Sequence, residues 1–189
     1  MTHDVIKQSV ARLGPVEARQ APLFAFALLT AASALASFVF ACATPFAAFA
    51  VIAAAMLPQR SALLVVAGCW LVNQGVGFGM LHYPIDLTTM LWGFVICAAA
   101  LVATFAASAV LRVTPRLPAP LALTLALVSA YAGYELTLLA VTPFLGGAAS
   151  FIAAIVTRIG LTSMAWLVGL VAVCEIIGLL NPARSHRSA

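Results

Sequence analysis

The feature that most constrains this chain is a series of long apolar runs with almost no charge. Residues 87–111, for example, contain no Asp, Glu, Lys or Arg. Of all 189 residues, 65% are hydrophobic and 7% are charged, and the mean hydropathy is +1.15. A soluble domain is about a quarter charged, so this chain has too few charges to cover a surface that faces water. The sequence therefore predicts an all-α integral membrane protein.

Six apolar segments are predicted as transmembrane helices, at about residues 22–41, 45–57, 61–75, 87–111, 121–141 and 149–180. A helix needs about 20 residues to cross a bilayer. The second and third segments are shorter than that, and short segments often mark interrupted helices beside a binding site. The sixth is too long for one upright span, so it is expected to tilt, bend or extend beyond the bilayer.

The basic residues predict the orientation and the domain limits. They lie before the first segment, between the second and third, between the fourth and fifth, and after the sixth: Lys7, Arg12, Arg19, Arg60, Arg112, Arg116, Arg184 and Arg187. With six spans all of these positions share one face, which is expected to be cytoplasmic. The interpretation is a cytoplasmic leader (1–20), a six-helix membrane domain (21–181) and a cytoplasmic tail (182–189). This placement explains the net charge of +4 without nucleic acid as a partner.

One polar stretch stands out from its surroundings, GCWLVNQGVGFGMLHYP at residues 68–84. Gly75, Gly77 and Gly79 alternate within it, and glycine costs about 1 kcal/mol relative to alanine inside a helix. The pattern predicts that the third helix breaks near Gly75 beside a cavity, since irregular backbone at membrane depth must be covered by protein or water. The alternative is a glycine-rich helix face packed against a neighbouring helix.

The same stretch supplies most of the candidate binding residues. Cys69 and Asn73 are four residues apart, so they line one face of a helix. Asn73 and Gln74 need hydrogen-bond partners in an apolar medium, either by capping a broken helix or by binding amide groups of a ligand. Cys69 is either a small packing residue or one soft ligand for a transition metal. His82 and Tyr83, with Asp86 in the same loop, form either an interfacial loop or a lid over the cavity.

Two charges within predicted helices require an explanation. Glu135 and Arg158 are expected at similar depth in the fifth and sixth segments. A buried charge is costly unless it is paired, so a structural ion pair between them is predicted. Tyr131 lies in the same depth range and is expected to add hydrogen bonds or to line the cavity.

These features resemble those of a known transporter family. The size, the six segments, the small residues of the first segment and the polar stretch around Cys69 are similar to the S components of energy-coupling-factor vitamin transporters. Within that family the chain resembles the BtuM type, which captures cobalamin at the cell inner membrane. The resemblance implies that Cys69 is an axial ligand to the cobalt of a corrinoid, whose ring supplies the four equatorial nitrogens.

The resemblance also implies partners and further contacts. Asn73, Gln74, Tyr83 and Tyr131 are suitable for the amide side chains of a corrin. Its apolar ring would suit the aromatic side chains at residues 70, 78 and 92. The face around Ala32 and Ala36 would dock on the transporter's transmembrane subunit, which works with ATPases. Cobalamin is then a transported ligand, and the chain has no cofactor of its own and is not an enzyme.

Two other functions remain open on the sequence. One is an S component or permease for a different vitamin or for a metal, although a permease for bare metal ions should carry more His, Asp or Glu in its spans. The other, from a different class, is a subunit that stabilises a larger membrane complex and binds no ligand itself. In that case the polar stretch would only cap and pack helices.

Overall fold

The described part of the chain folds as a bundle of six α-helices. The structure, a computed structural model, describes residues 13–40, 44–147 and 151–181. Residues 1–12 of the predicted leader and the predicted tail, 182–189, lie outside the described residues. The helices are α1 (Ala21–Phe40), α2 (Phe46–Met56), α3 (Gln59–Gly79), α4 (Leu87–Val113), α5 (Ala119–Leu145) and α6 (Ala153–Leu180). The all-helical prediction is confirmed for the described residues, and five of the helices are long and apolar enough to cross a membrane.

The short helix α2 is the centre of the bundle. All of its 11 residues are buried, and it packs against all five long helices. Its length is about 16 Å at 1.5 Å per residue, about half of the 30 Å hydrocarbon core of a bilayer. The second segment is therefore shorter than a span and is enclosed by the others. Its many alanines allow this enclosure, because small side chains let neighbouring helices approach closely.

Two hydrogen bonds define one end of the bundle, which we call the α2 end. The backbone N–H of Leu13 donates to the carbonyl of Ala55 at the end of α2 (3.3 Å). The side chain of Asn181, which follows α6, donates to the carbonyl of Pro15 (3.2 Å). The segment before α1, the end of α2 and the end of α6 therefore meet at the same end, as the alternating topology requires.

The packed core is concentrated in the half of the bundle that contains α2. In α6 the buried residues begin at Ser163, and residues 153–162 include no buried position. In α4 only Gly93 is buried among residues 87–98. We call the other half, beyond the N-terminus of α2, the far half. There the long helices continue without a helix at their centre.

The third helix is continuous, so the break predicted near Gly75 is wrong. α3 remains helical to Gly79, and the N–H groups of Met80 and Leu81 both donate to the carbonyl of Val76 at its end (2.9 Å each). Packing explains part of the glycine content. A Cβ on Gly77 would lie 2.7 Å from Cε2 of Tyr83, so this glycine makes room for an aromatic ring. A Cβ on Gly75 or Gly79 would meet no atom within 4 Å, so the alternative of a glycine-rich face packed against a neighbouring helix does not describe this stretch either.

Candidate functional site

Cys69 and Asn73 lie on the face of α3 that packs against α1. Around them is a cluster of hydroxyl groups, which we call the α1–α3 seam; it comprises Thr30, Ser33 and Ser37 of α1, Thr44 before α2, and Cys69 and Asn73 of α3. The predicted shared face of Cys69 and Asn73 is confirmed. The hydroxyl residues were not among the predicted partners, although Thr30, Ser33 and Ser37 are spaced by three and four residues, as one helix face requires.

The thiol of Cys69 is covered by α1. The residue is fully buried, and its sulfur lies 4.0 Å from Oγ1 of Thr30. The hydroxyl of Ser33 donates to the backbone carbonyl of Cys69 (3.3 Å). On the α1 side the sulfur therefore meets one hydroxyl group, that of Thr30, at the limit of hydrogen-bond distance, and the Ser33 hydroxyl is bound to the backbone of the same residue. A bulky ligand can reach the sulfur only if α1 or the Cys69 side chain moves.

The side chain of Asn73 joins three parts of the chain. Its Nδ2 donates to Oγ of Ser37 on α1 (2.8 Å) and to Oγ1 of Thr44, just before α2 (2.9 Å). Ser37 in turn donates to the carbonyl of Ser33 (2.7 Å). The prediction that this carboxamide needs partners is confirmed. Its partners belong to neighbouring elements, and because α3 is unbroken at Asn73, the residue does not cap a helix end.

Gln74 lies on a different face of α3, toward α4. Its Nε2 is 3.5 Å from the carbonyl oxygen of Gly93, which also accepts a hydrogen bond from Nε1 of Trp70 (2.8 Å). A Cβ on Gly93 would be 3.2 Å from Nε2 of Gln74, so a larger residue at this position would make the end of the Gln74 side chain shift. Asn73 and Gln74 therefore hold α3 against two different helices, α1 and α4.

His82 and Tyr83 lie in the loop between α3 and α4, at the end opposite the α2 end. His82 is exposed and has a positive φ of 55°. Tyr83 is half-buried; its N–H donates to the carbonyl of Gly77 (3.1 Å), and its ring meets that of Phe78 edge to face with centroids 6.2 Å apart. The loop is thus held to α3 by Tyr83, while the imidazole of His82 is available to solvent or to a ligand.

Asp86 ends the same loop and caps α4. One carboxylate oxygen accepts from the N–H of Thr89 and the other from its hydroxyl, both at 2.9 Å. These hydrogen bonds, the backbone one foremost, lower the pKa of Asp86 from its ordinary value, because they stabilise the charged form. Asp86 therefore has a structural role at the start of α4.

The predicted ion pair between Glu135 and Arg158 is absent from the described part of α5 and α6. Tyr131 shows the reason: its hydroxyl donates to the carbonyl of Val156 (2.6 Å) and its ring packs on Gly160. Val156 and Gly160 are each two residues from Arg158, which is about 200° around the helix. Arg158 therefore faces away from α5, and its side chain is exposed. Glu135 interacts with Tyr131 instead.

The small residues proposed for docking are also differently placed. Ala32 is 7% exposed and Ala36 is fully buried, so this pair packs inside the chain and the prediction that it forms an external docking face is wrong. The face of α1 that points outward carries Ala27 and Ala31. The two alanine pairs have the same four-residue spacing in the sequence. Only the packing of α2 and α3 against α1 decides which pair is buried and which is exposed.

Within the described residues, no three His, Cys, Asp or Glu side chains gather as ligands for a metal ion. A metal at Cys69 would therefore have to bring most of its own ligands. Tyr131, at the α5–α6 contact, is not brought together with Cys69 and Asn73 by any of these hydrogen bonds.

Comparison with known proteins adds no relative, since no family model, curated protein or solved structure matches this chain.

Proposed function

We propose that this protein is a substrate-binding membrane transport protein for cobalamin or a related corrinoid. In this proposal Cys69 provides one axial ligand to cobalt, and the ligand enters through the far half of the bundle. The observation that carries the proposal is the position of the buried Cys69 thiol at the base of the far half, outside any cluster of metal-ligating side chains in the described residues. It rests equally on the resemblance of the stretch at residues 68–84 to BtuM-type S components.

The level of Cys69 follows from helix geometry. Cys69 lies ten residues after the start of α3, which is about 15 Å along the helix axis. The helix α2 is about 16 Å long, and it ends beside the start of α3, with two residues between them. Cys69 is therefore level with the N-terminus of α2, where the hydrogen bond from Asn73 to Thr44 joins the same two elements.

The base of the far half also carries aromatic surface. The ring of Phe46, the first residue of α2, is stacked on that of Tyr134 with centroids 6.5 Å apart. Both rings are buried, so in this proposal a flat macrocycle would lie above the covered aromatic pair, with the amide and imidazole groups of α3 and its loop at the side. Ligand sites of this kind are mostly apolar, with a few polar groups that fix orientation.

The chemistry of the thiol is consistent with a corrinoid. Sulfur is a soft ligand that suits late transition metals, and a corrin supplies every equatorial donor. The protein would then need to supply only one axial donor, and a cluster of several metal-ligating side chains, of which the described residues contain none, would not be required. Deprotonation of a buried thiol is unfavourable in an apolar medium, so coordination to the cationic cobalt would supply the charge compensation.

The proposal includes the membrane and the partners of the protein. The positive-inside rule predicts that the α2 end, near which the basic residues lie, is cytoplasmic; the far half would then face outward, as uptake across a cell inner membrane requires. A transmembrane subunit with ATPases, if the protein uses one, would dock on the outward face of α1 that carries Ala27 and Ala31, because Ala32 and Ala36 are covered.

A second function is favoured by one observation. The carboxamide nitrogen of Asn73 and the hydroxyls of Ser33 and Ser37 already have partners inside the chain. A protein that only stabilises a larger membrane complex would need nothing more from these residues. This alternative predicts that Cys69 is a packing residue and that no ligand accompanies the purified protein.

The deciding experiment is purification from cells grown with and without hydroxocobalamin. The transport proposal predicts a coloured protein whose visible spectrum shows cobalt with a sulfur ligand. In Cys69→Ala this spectrum should be lost or shifted, whereas Cys97→Ala, a change of another thiol in a span, should leave it intact. A colourless protein, or an unchanged spectrum in Cys69→Ala, would contradict the proposed ligand and support the alternative.

A further inference from the structure

The helix α1 has few neighbours compared with its length. It packs mainly against α3, with a smaller contact to α2. Its buried polar side chains, Ser33 and Ser37, point into the contact with α3. Interhelical hydrogen bonds in membranes average about 0.6 kcal/mol, so a contact of this kind can open and close more readily than the core around α2.

Asn73 is the residue on which the closed contact depends most. One carboxamide nitrogen holds Ser37 of α1 and Thr44 before α2 at 2.8 and 2.9 Å. The other polar contacts of the seam near the thiol are the hydrogen bond from Ser33 to the Cys69 carbonyl (3.3 Å) and the long contact between Thr30 and the Cys69 sulfur (4.0 Å). Loss of the Asn73 hydrogen bonds would therefore remove the two shortest bonds that α3 makes in the seam and weaken the contact of α1 with α3 one helical turn from Cys69.

We infer that the α1–α3 seam is a gate over Cys69 and that the carboxamide of Asn73 is its latch. In the closed state seen here, α1 covers the sulfur completely. In the open state α1 moves away from α3, the Asn73 bonds break and the thiol becomes accessible from the far half. The biological purpose of the gate rests on the proposed function, in which the sulfur must reach the cobalt of a ring-shaped ligand.

The test measures how fast Cys69 reacts with N-ethylmaleimide in the full-length protein in detergent. The other three cysteines are replaced first, by Cys42→Ala, Cys97→Ala and Cys174→Ala, so that Cys69 is the only thiol. When opening is faster than labelling, the rate follows the population of the open state. Asn73→Ala removes one bond to α1 and one to Thr44 in the segment between α1 and α2, so we expect a rate about eightfold higher; Ser37→Ala removes only the first and should give about threefold.

Matched controls separate a gate from general loosening. Gln74→Ala removes the neighbouring carboxamide, which contacts Gly93 on the other side of α3, and should leave the rate unchanged. Thr44→Val removes the second acceptor of Asn73 with little change of shape and should raise the rate about threefold. If Asn73→Ala does not fold, Ser37→Ala and Thr44→Val carry the test. Equal rates in these variants and the parent, or an equal increase in Gln74→Ala, would overturn the gate.

Adding hydroxocobalamin to the same assay distinguishes this inference from the proposed function. Faster labelling in the seam variants, together with protection of Cys69 by hydroxocobalamin, supports both. Faster labelling without protection supports the gate and contradicts the corrinoid ligand. If hydroxocobalamin protects Cys69 but the labelling rate is the same in the seam variants and the parent, the result supports the corrinoid ligand and overturns the gate.

Discussion

At the scale of single residues, the glycines of α3 show how similar positions acquire different roles. Gly75 and Gly77 are two residues apart in an alternating pattern. A Cβ on Gly77 would overlap the ring of Tyr83, whereas a Cβ on Gly75 would meet no atom within 4 Å. Gly77 is therefore required for packing, and Gly75 contributes only the backbone freedom that weakens a helix.

This difference predicts opposite effects of alanine at the two positions. Gly77→Ala should lower the free energy of unfolding by about 1–2 kcal/mol, because displacing the Tyr83 ring outweighs the gain in helix propensity. Gly75→Ala should leave it unchanged or raise it by up to about 1 kcal/mol. Thermal unfolding of both variants in the same detergent provides the measurement, and equal shifts in the same direction would contradict the packing role of Gly77.

The cap at Asp86 predicts a dependence of stability on pH. Hydrogen bonds from Thr89 lower the pKa of Asp86 in the folded state, so the carboxylate stabilises the fold at pH values above its unfolded pKa of about 4. This contribution is lost as the pH falls through the lower folded pKa. Asp86→Asn keeps a capping side chain without a titrating group, so its thermal stability should fall less than that of the parent between pH 6 and pH 3. Parallel pH profiles would contradict the prediction.

At the scale of helices, the contact between α5 and α6 depends on one long side chain. The hydroxyl of Tyr131 reaches the backbone of Val156, while Arg158 faces the other way. Arg158 is five residues from the start of a 28-residue helix that is about 42 Å long. Because that helix exceeds the hydrocarbon thickness of about 30 Å, its guanidinium can extend to the headgroup region.

A double-mutant cycle tests this arrangement. Glu135→Gln and Arg158→Gln should be additive in their effects on unfolding, to within about 0.5 kcal/mol, because the two side chains do not contact each other. Glu135→Gln combined with Tyr131→Phe should deviate from additivity by more than that, since these side chains interact. A coupling found for Glu135 with Arg158, and not with Tyr131, would restore the ion pair and contradict the structure.

At the scale of the whole molecule, charge and fold agree on topology. Arg19 and Arg60 lie near the α2 end, where Leu13 and Asn181 are hydrogen-bonded into the bundle. The five residues between α4 and α5 contain Arg116, and α4 and α5 pack extensively against each other, so they are antiparallel. The loop of residues 80–86, at the opposite end, contains neither Lys nor Arg.

The positive-inside rule then predicts which loops an impermeant reagent can reach. In a background in which all four cysteines are replaced, Ile85→Cys should react with an impermeant maleimide in cells whose membrane is intact. Pro115→Cys, between α4 and α5, should react only after that membrane is permeabilised. Both positions are exposed, so a failure to react reports sidedness rather than burial. The reverse pattern would contradict the orientation and the outward position of the far half.

Much of the fold is predictable from the sequence because few backbone conformations are stable in a lipid bilayer. Backbone polar groups in a bilayer must be satisfied within a helix, so each long apolar run predicts a helix and its approximate limits. The four-residue spacing of Cys69 and Asn73 likewise fixes their common face on α3. The site residues Cys69 and Asn73 are therefore correctly grouped by local periodicity, and the cobalt-ligand role of Cys69 stays a prediction.

The sequence alone determined that the chain suits a lipid environment, where its helices lie along the chain, and on which helix faces its polar groups lie. Only the tertiary structure decided that α2 is enclosed, that α3 is unbroken, that Ala32 faces inward and that Arg158 faces away from Glu135. The reason is that these outcomes depend on contacts between distant residues, such as Asn73 with Ser37, 36 positions away. Local pattern limits which side chains can meet, and the packing of six helices selects the pairs that do.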